Sequence, residues 1–173
     1  MKIYIATDHA GYELKNFLVL QLEEIGHEVT DFGAKTFEMG DDYPDYVSKV
    51  GEAISNEARS LLEAKIAEGG ASSVHGYIQT QSMGIVLGGS GTGEAIAVNR
   101  YPNVRAFAFT GQSKELLELS RQHNDCNVLS IGARFVTNNQ ALETVLYWLR
   151  IEFGHEERHQ KRLDEIEKKG ADR

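Results

Sequence analysis

Residues 84–100, GIVLGGSGTGEAIAVNR, run from an apolar, β-branched segment through glycines 88, 89, 91 and 93 into a helix-forming stretch that opens on Glu94. A strand that feeds a glycine turn and then a helix is half of a βαβ unit, so this stretch predicts an α/β fold. The glycines let the backbone turn where other residues cannot, and they admit a ligand close to the amide N–H groups. Two glycine motifs fail here. The dinucleotide fingerprint needs a third glycine that would fall on Glu94 or Ile96, and the triphosphate loop needs lysine where Glu94 stands. Two readings of the loop then stand side by side. One is a plain turn whose Glu94 complements a helix N-terminus. The other is a ring of N–H donors beside a general base, suited to removing a proton next to a carbonyl and holding the enediolate that results.

Outward from the loop the same alternation continues. Lys2 to Thr7 reads as a strand, Asp8 to Gly11 as a turn, and Leu14, Phe17, Leu18, Leu22 and Ile25 recur at helical spacing until Gly26. His27 to Phe32 reads as the second strand, closing a βαβ unit of right-handed type. After the loop Asp41-Asp42-Tyr43-Pro44, a long helix carries Val47, Val50, Ala53, Ile54 and Leu61 towards Glu68. Gly69 to Gln81 is polar and reads as a surface excursion. Strands at Met83–Leu87, Arg105–Phe109 and Asn127–Ile131 alternate with helices at Glu94–Arg100, at Ser113–His123 with Ser113 as cap, and from Asn138. Residues 155–173 read as a charged terminal helix with little apolar face of its own. The expectation is a three-layer α/β/α sandwich on a five-stranded parallel sheet, with a C-terminal helical tail.

At 173 residues and 41% hydrophobic content, one domain over 1–173 has room for a sizeable core. A net charge of −8 argues against sequence-independent nucleic-acid binding, which needs a basic surface. The lone Cys126 precludes an intramolecular disulfide and fits a reducing cytoplasm. The opening MKIYIATDHAG has too short an apolar run for a signal peptide, and no run reaches membrane-spanning length, so a cytoplasmic protein is expected.

In such sandwiches ligands bind beyond the carboxyl ends of the strands, where Asp8-His9, Gly88 to Gly93 and Gly132-Ala133-Arg134 should converge. Asp8 and His9 read either as site residues or as a cap beside a solvated ring. His123-Asn124-Asp125 ends a helix, where a histidine can simply complement the dipole. Tyr43 reads as a sugar-hydroxyl donor or as ordinary loop packing. Arg158 and Arg162 share a helical face with His159 beside them, and they read either as a phosphate clamp or as a solvated face balanced by Glu156, Glu157 and Asp164. The histidines lack paired ligand spacing, so no metal site is expected.

The segments DHAGYELK, GHEVTDFG, DDYPDY, GIVLGGSGTGEAIAVNR, RQHNDCNVLSIGAR and RHQKR occur in that order across nearly the whole chain. Together they resemble the type B ribose-5-phosphate isomerase family, which also holds galactose- and allose-6-phosphate isomerases. The resemblance implies a Rossmann-like sandwich and an aldose–ketose isomerase that uses neither metal nor cofactor. It also implies a homodimer, with a tetramer as the further option, whose active sites lie at the interface. By family role His123 opens the furanose ring, Asp8 and Asn124 bind sugar oxygens, and Tyr43 contacts the sugar near its reactive end. Phosphate falls to His9 and Arg134 of one subunit and to Arg158, Arg162 and His159 of the other, so the terminal helix is expected to reach a partner. Many members carry a cysteine base at the position of Gly88. A second branch uses the loop glutamate instead, and Gly88, Gly89, Ser90, Gly91, Gly93 and Glu94 match that branch. The expected base is therefore Glu94, with the N–H groups of Gly89, Gly91, Thr92 and Gly93 and the Ser90 hydroxyl around the oxyanion. The alternatives are the same chemistry on a six-carbon sugar phosphate and a non-catalytic sugar-phosphate or nucleotide module. Residues 56–82 are longer than the family's usual link into the third strand.

Overall fold

The computed structural model describes residues 1–69, 76–111 and 113–171. Five parallel strands, β1 (Lys2–Thr7), β2 (Glu28–Asp31), β3 (Met83–Gly88), β4 (Ala106–Phe109) and β5 (Val128–Gly132), lie in the order β2-β1-β3-β5-β4. The helices are α1 (Tyr12–Glu24), α2 (Pro44–Ala67), α3 (Thr92–Val98), α4 (Lys114–Gln122), α5 (Asn138–Leu149) and α6 (Glu157–Ala171). The three-layer α/β/α sandwich on a five-stranded parallel sheet is as expected.

Alternation along the central strands creates both interfaces, because successive side chains point to opposite faces. Ile3, Ile5, Ile85, Leu87, Leu129 and Ile131 pack with Leu14, Leu18 and Leu22 of α1, Leu117 of α4, and Val145 and Trp148 of α5. On the other face Tyr4, Ala6, Val86 and Val128 meet Val47, Val50 and Ile54 of α2 and Val98 of α3. Strand β3 is buried along its whole length, which explains its unbroken apolar run.

Several boundaries differ from the sequence reading for local reasons. Helix α3 starts at Thr92, two residues before Glu94, because Gly91 adopts φ +74 and turns the chain directly into the helix. The added Cβ of any other residue at 91 would lie 2.9 Å from the Ile131 carbonyl carbon. Ser113 is the N-cap residue of α4 as expected and has extended cap geometry, but its side chain makes no capping bond. Ile25 is 55% exposed, since α1 ends at Glu24 before Gly26 turns at φ +90. Of the expected excursion Gly69 to Gln81, residues 70–75 lie outside the described residues.

Lys15 is buried in α1, where its Nζ donates to Asp31 Oδ2 at 2.6 Å and to the Ala34 carbonyl at 2.9 Å. Burial pushes the Asp31 carboxyl up, but Lys15, the Gly33 N–H and Lys35 outweigh it and hold the group below its ordinary range. This pair fixes the exit from β2, and with it the start of the loop that carries Asp41 back to the sheet edge.

Candidate active site

Because all the strands run one way, the ends of β1, β3 and β5 share one edge, and β1 and β3 lie where the order turns outward in opposite directions. Crevices form at that switch point. The edge is tied together by Thr7 Oγ1 donating to the Leu87 carbonyl at 2.8 Å, and by the Ala133 and Arg134 N–H groups donating to Gly88 and Gly89 carbonyls. The three segments expected to converge do converge. Asp8 is buried and its Oδ1 accepts the Ala10 N–H at 2.9 Å, capping the tight turn at His9–Gly11. The capping reading of Asp8 therefore holds, at a residue that stands at the same strand edge as the glycine loop.

Glu94 is 4% exposed, although it stands in the first turn of α3 beside an open loop. Burial raises its pKa above the ordinary carboxylate value; its own backbone N–H opposes this and the nearby Asp8 charge adds to it. A side chain on Gly88 would collide with the Glu94 carboxylate, so the bare backbone at 88 is what seats the acid. A Cβ on Gly93 would stand 2.7 Å from the Tyr43 hydroxyl, and one on Gly89 would stand 3.1 Å from the Arg134 guanidinium carbon. Tyr43 and Arg134 thus flank the same loop. Ser90 is exposed and its Oγ accepts the Thr92 N–H at 3.3 Å. His9 Nδ1 lies 2.6 Å from Asp41 Oδ1, and the His9 backbone N–H donates to that same oxygen at 2.9 Å.

His123 and Asn124 lie elsewhere. They follow α4 and precede β5, which places them at the amino edge of the sheet, with Val128 to Gly132 between them and the loop. That strand alone spans about 13 Å at 3.3 Å per residue. There the His123 and His159 rings meet with centroids 4.2 Å apart. His159 is buried, which lowers its pKa, and the neighbouring His123 lowers it further. Arg158 and Arg162 are exposed on α6, and Arg158 Nε donates to Glu156 Oε2 at 2.9 Å. A cleft of about 520 Å³ beside His123 is lined by Gln122, Tyr147, Arg150 and Phe153, and by none of the loop residues. The expected site residues therefore form two groups on one chain, at opposite edges of the sheet.

The second group rests on a network the sequence reading did not single out. Asp125 is 1% exposed and adopts φ +41. It pairs with Arg121 at 2.7 Å and Arg105 at 3.0 Å, and accepts the Tyr77 hydroxyl at 2.9 Å. Arg105 Nε also donates to the carbonyls of Asn124 and Asp125, clamping the backbone next to His123. Tyr77 comes from the long link into β3 and packs with Phe153 and with Leu163 of α6. Its N–H donates to Asp164 Oδ1, while Glu167 Oε2 accepts the Asn103 N–H at 2.8 Å. Helix α6 is thereby held on its own chain, starting at Glu157 rather than at 155. Asp41, Tyr77, Arg105 and Asp125 come from separate segments, and only the Arg121–Asp125 pair, four residues apart, carries a spacing that could have marked it.

Cys126 is buried, and burial pushes its thiol up to about 12, which keeps it protonated and unreactive. Among the described residues, Asp8–His9–Asp41 and His123–Glu156–His159 each bring donor atoms within 4.8 Å of one another. In the first the imidazole already bonds Asp41, and in the second Arg158 engages Glu156, so neither is assigned a metal. No helix among the described residues is long and apolar enough to cross a membrane.

The chain matches the family model described as Ribose/Galactose Isomerase over residues 3–66 and 64–166. It is 36% identical over 165 residues to ribose-5-phosphate isomerase B of Mycobacterium tuberculosis H37Rv, covering 95% of this chain and 86% of that protein. It is likewise 36% identical over 165 residues to ribose-5-phosphate isomerase B of Escherichia coli K12, covering 95% and 93%. The structure of the Mycoplasma genitalium ribose-5-phosphate isomerase B with bound ribulose-5-phosphate superposes with TM-score 0.80 at 29% identity, covering 99% of this chain and 97% of that one. The Clostridium thermocellum ribose-5-phosphate isomerase B superposes with TM-score 0.78 at 36% identity, covering 99% of both chains.

Proposed function

The chain belongs to the ribose/galactose isomerase family, and on that premise we propose that it interconverts D-ribose 5-phosphate and D-ribulose 5-phosphate through a cis-enediolate. The observation that carries this reading is the Glu94 carboxylate, buried beside the glycine loop in the space that Gly88 leaves open. A buried carboxylate of raised pKa is a stronger base than one in water, and this one stands against the glycine loop at Gly88.

The steps follow from these roles. His123 moves the anomeric hydroxyl proton towards the ring oxygen and opens the furanose. Glu94 takes the proton from C2 and returns it to C1 while the O2 hydroxyl proton passes to O1 across the enediolate, so the base is regenerated and no external acid is consumed. The N–H groups of Gly89, Gly91, Thr92 and Gly93, with the Ser90 hydroxyl, hold the oxygen on which charge develops. Such a donor is worth about 3–4 kcal/mol, and a positioned base about a hundred- to ten-thousand-fold in rate. Asp8, Asn124 and Tyr43 orient the sugar oxygens.

Since His123, Asn124, Arg158, His159 and Arg162 share the edge opposite Glu94, the working site is composed from two protomers of a homodimer. One supplies Asp8, His9, Tyr43, the loop, Glu94 and Arg134, and its partner supplies the His123 group. Phosphate then sits between His9 and Arg134 on one side and the α6 arginines with His159 on the other. The proposed setting is the cytoplasm, with a sugar phosphate as the only small-molecule partner and no cofactor. The test is incubation with ribose 5-phosphate in D2O without added metal. Ribulose 5-phosphate should form, with deuterium entering at its C1 and at C2 of recovered ribose 5-phosphate to the extent that the proton on Glu94 exchanges, and absence of both conversion and exchange overturns the isomerase reading.

A further inference from the structure

We propose that Asp41 is a positioning residue for phosphate capture, holding the His9 ring by its Nδ1 so that Nε2 is presented as a cationic donor. The inference rests on the reading of His9 as a phosphate-binding group. It begins from a doubled contact. Asp41 Oδ1 accepts the His9 backbone N–H at 2.9 Å and lies 2.6 Å from His9 Nδ1, so one oxygen fixes both the main chain and the ring. An imidazole whose Nδ1–H is given to a carboxylate has its tautomer settled, and Nε2 is its remaining group.

The charges around the ring point the same way. Asp41 is largely buried, with its side chain 8% exposed against 28% for His9, and Asp8 adds a second carboxylate 4.0 Å from Nδ1. Tyr46 of α2 approaches the Asp41 carboxylate, and Glu38 and Asp45 act on Tyr46 in turn. The Phe37 ring meets His9 edge-on and covers a further side. The bond to Asp41 raises the His9 pKa against a smaller opposing effect of desolvation, and Asp8 raises it further. Burial pushes Asp41 up, but the two His9 donors and Tyr46 outweigh it and hold that carboxyl below its ordinary range. The sign is therefore definite: His9 stays protonated to higher pH than a free histidine, and this extra charge is lost only as pH rises through the raised value. A protonated imidazole meets a phosphate monoester as a charge-assisted donor, whereas a neutral one does not.

The test uses the full-length protein and Asp41→Asn, which keeps an oxygen acceptor and removes the charge. Histidine-resolved NMR should show the His9 titration midpoint above 6.5 in the parent and shifted down in the variant. KM for ribose 5-phosphate should rise about tenfold at pH 8 and little at pH 6, with kcat changed less than about twofold, because the phosphate is remote from the reacting carbons. Asp41→Glu should restore part of the effect. Identical His9 titrations in the parent and Asp41→Asn overturn the proposal, and a shifted titration with unchanged KM overturns its phosphate half. If the parent catalyses no isomerisation, the function reading fails separately, and His9 titrations with and without inorganic phosphate still decide whether Asp41 governs the ring.

Discussion

The two edges of the sheet solve the placing of reactive groups by different physics. At the carboxyl edge the work is done by backbone: short strand-to-loop turns, a left-handed Gly91, and main-chain bonds from Ala133 and Arg134 to the glycine loop. Few side chains are needed, and Glu94 finds its pocket because Gly88 has none. At the amino edge the work is done by buried charge, with Asp125 held by Arg105, Arg121 and Tyr77, and the resulting clamp fixes the segment that carries His123. A backbone-built site tolerates change in the residues around it but not at a glycine of positive φ packed against backbone, such as Gly91. A charge-built site fails when any one member leaves the others buried and unpaired.

The largest expected effect sharpens this contrast. Glu94→Gln should lower kcat by about a hundred- to ten-thousand-fold, measured by steady-state conversion of ribose 5-phosphate, with binding nearly intact. His123→Ala should also be severely impaired. Unfolding, mixing and refolding the two variants together should regain about a quarter of wild-type activity, because half the dimers are mixed and each mixed dimer holds one intact site. No recovery would mean that Glu94 and His123 act within a single protomer, and the two-edge picture would be broken.

A smaller effect is expected on folding. Asp125→Ala removes one anion from between two buried arginines and should cost about 3–5 kcal/mol in denaturant unfolding. Gly89→Ala, at the other edge, meets the end of a flexible arginine and should cost less; equal costs would erase the distinction. The smallest effect is on pH. Glu94 must be deprotonated to act, so kcat/KM should rise with pH along an acid limb centred above 4.5, the direction set by burial. Asp8→Asn removes the neighbouring negative charge and should move that limb down while lowering the plateau. A limb unmoved by Asp8→Asn would show that burial alone sets the base.

The carboxyl-edge group was legible before the fold was known because each residue follows a strand, and strand ends in a parallel sheet share an edge. Asp8, His9, the glycine loop and Arg134 were all found that way. His123 was legible only through resemblance, since a histidine closing a helix looks like any dipole partner. The partners of Asp41 and Asp125 stayed hidden for a common reason: an acid in a polar loop is unremarkable until the cation that faces it is known. The long link into β3 read as a surface excursion, yet Tyr77 within it is buried and pins α6.

The order of elements, the parallel sheet and the two apolar faces of its strands were determined by the sequence alone, because periodicity and turn propensity act between near neighbours in the chain. The strand order, the burial of Glu94, the His9–Asp41 bond and the placing of the candidate site residues at opposite edges were decided only by the tertiary structure. Each of these depends on which distant groups share a low-dielectric space, and pairing and desolvation have no period along the chain.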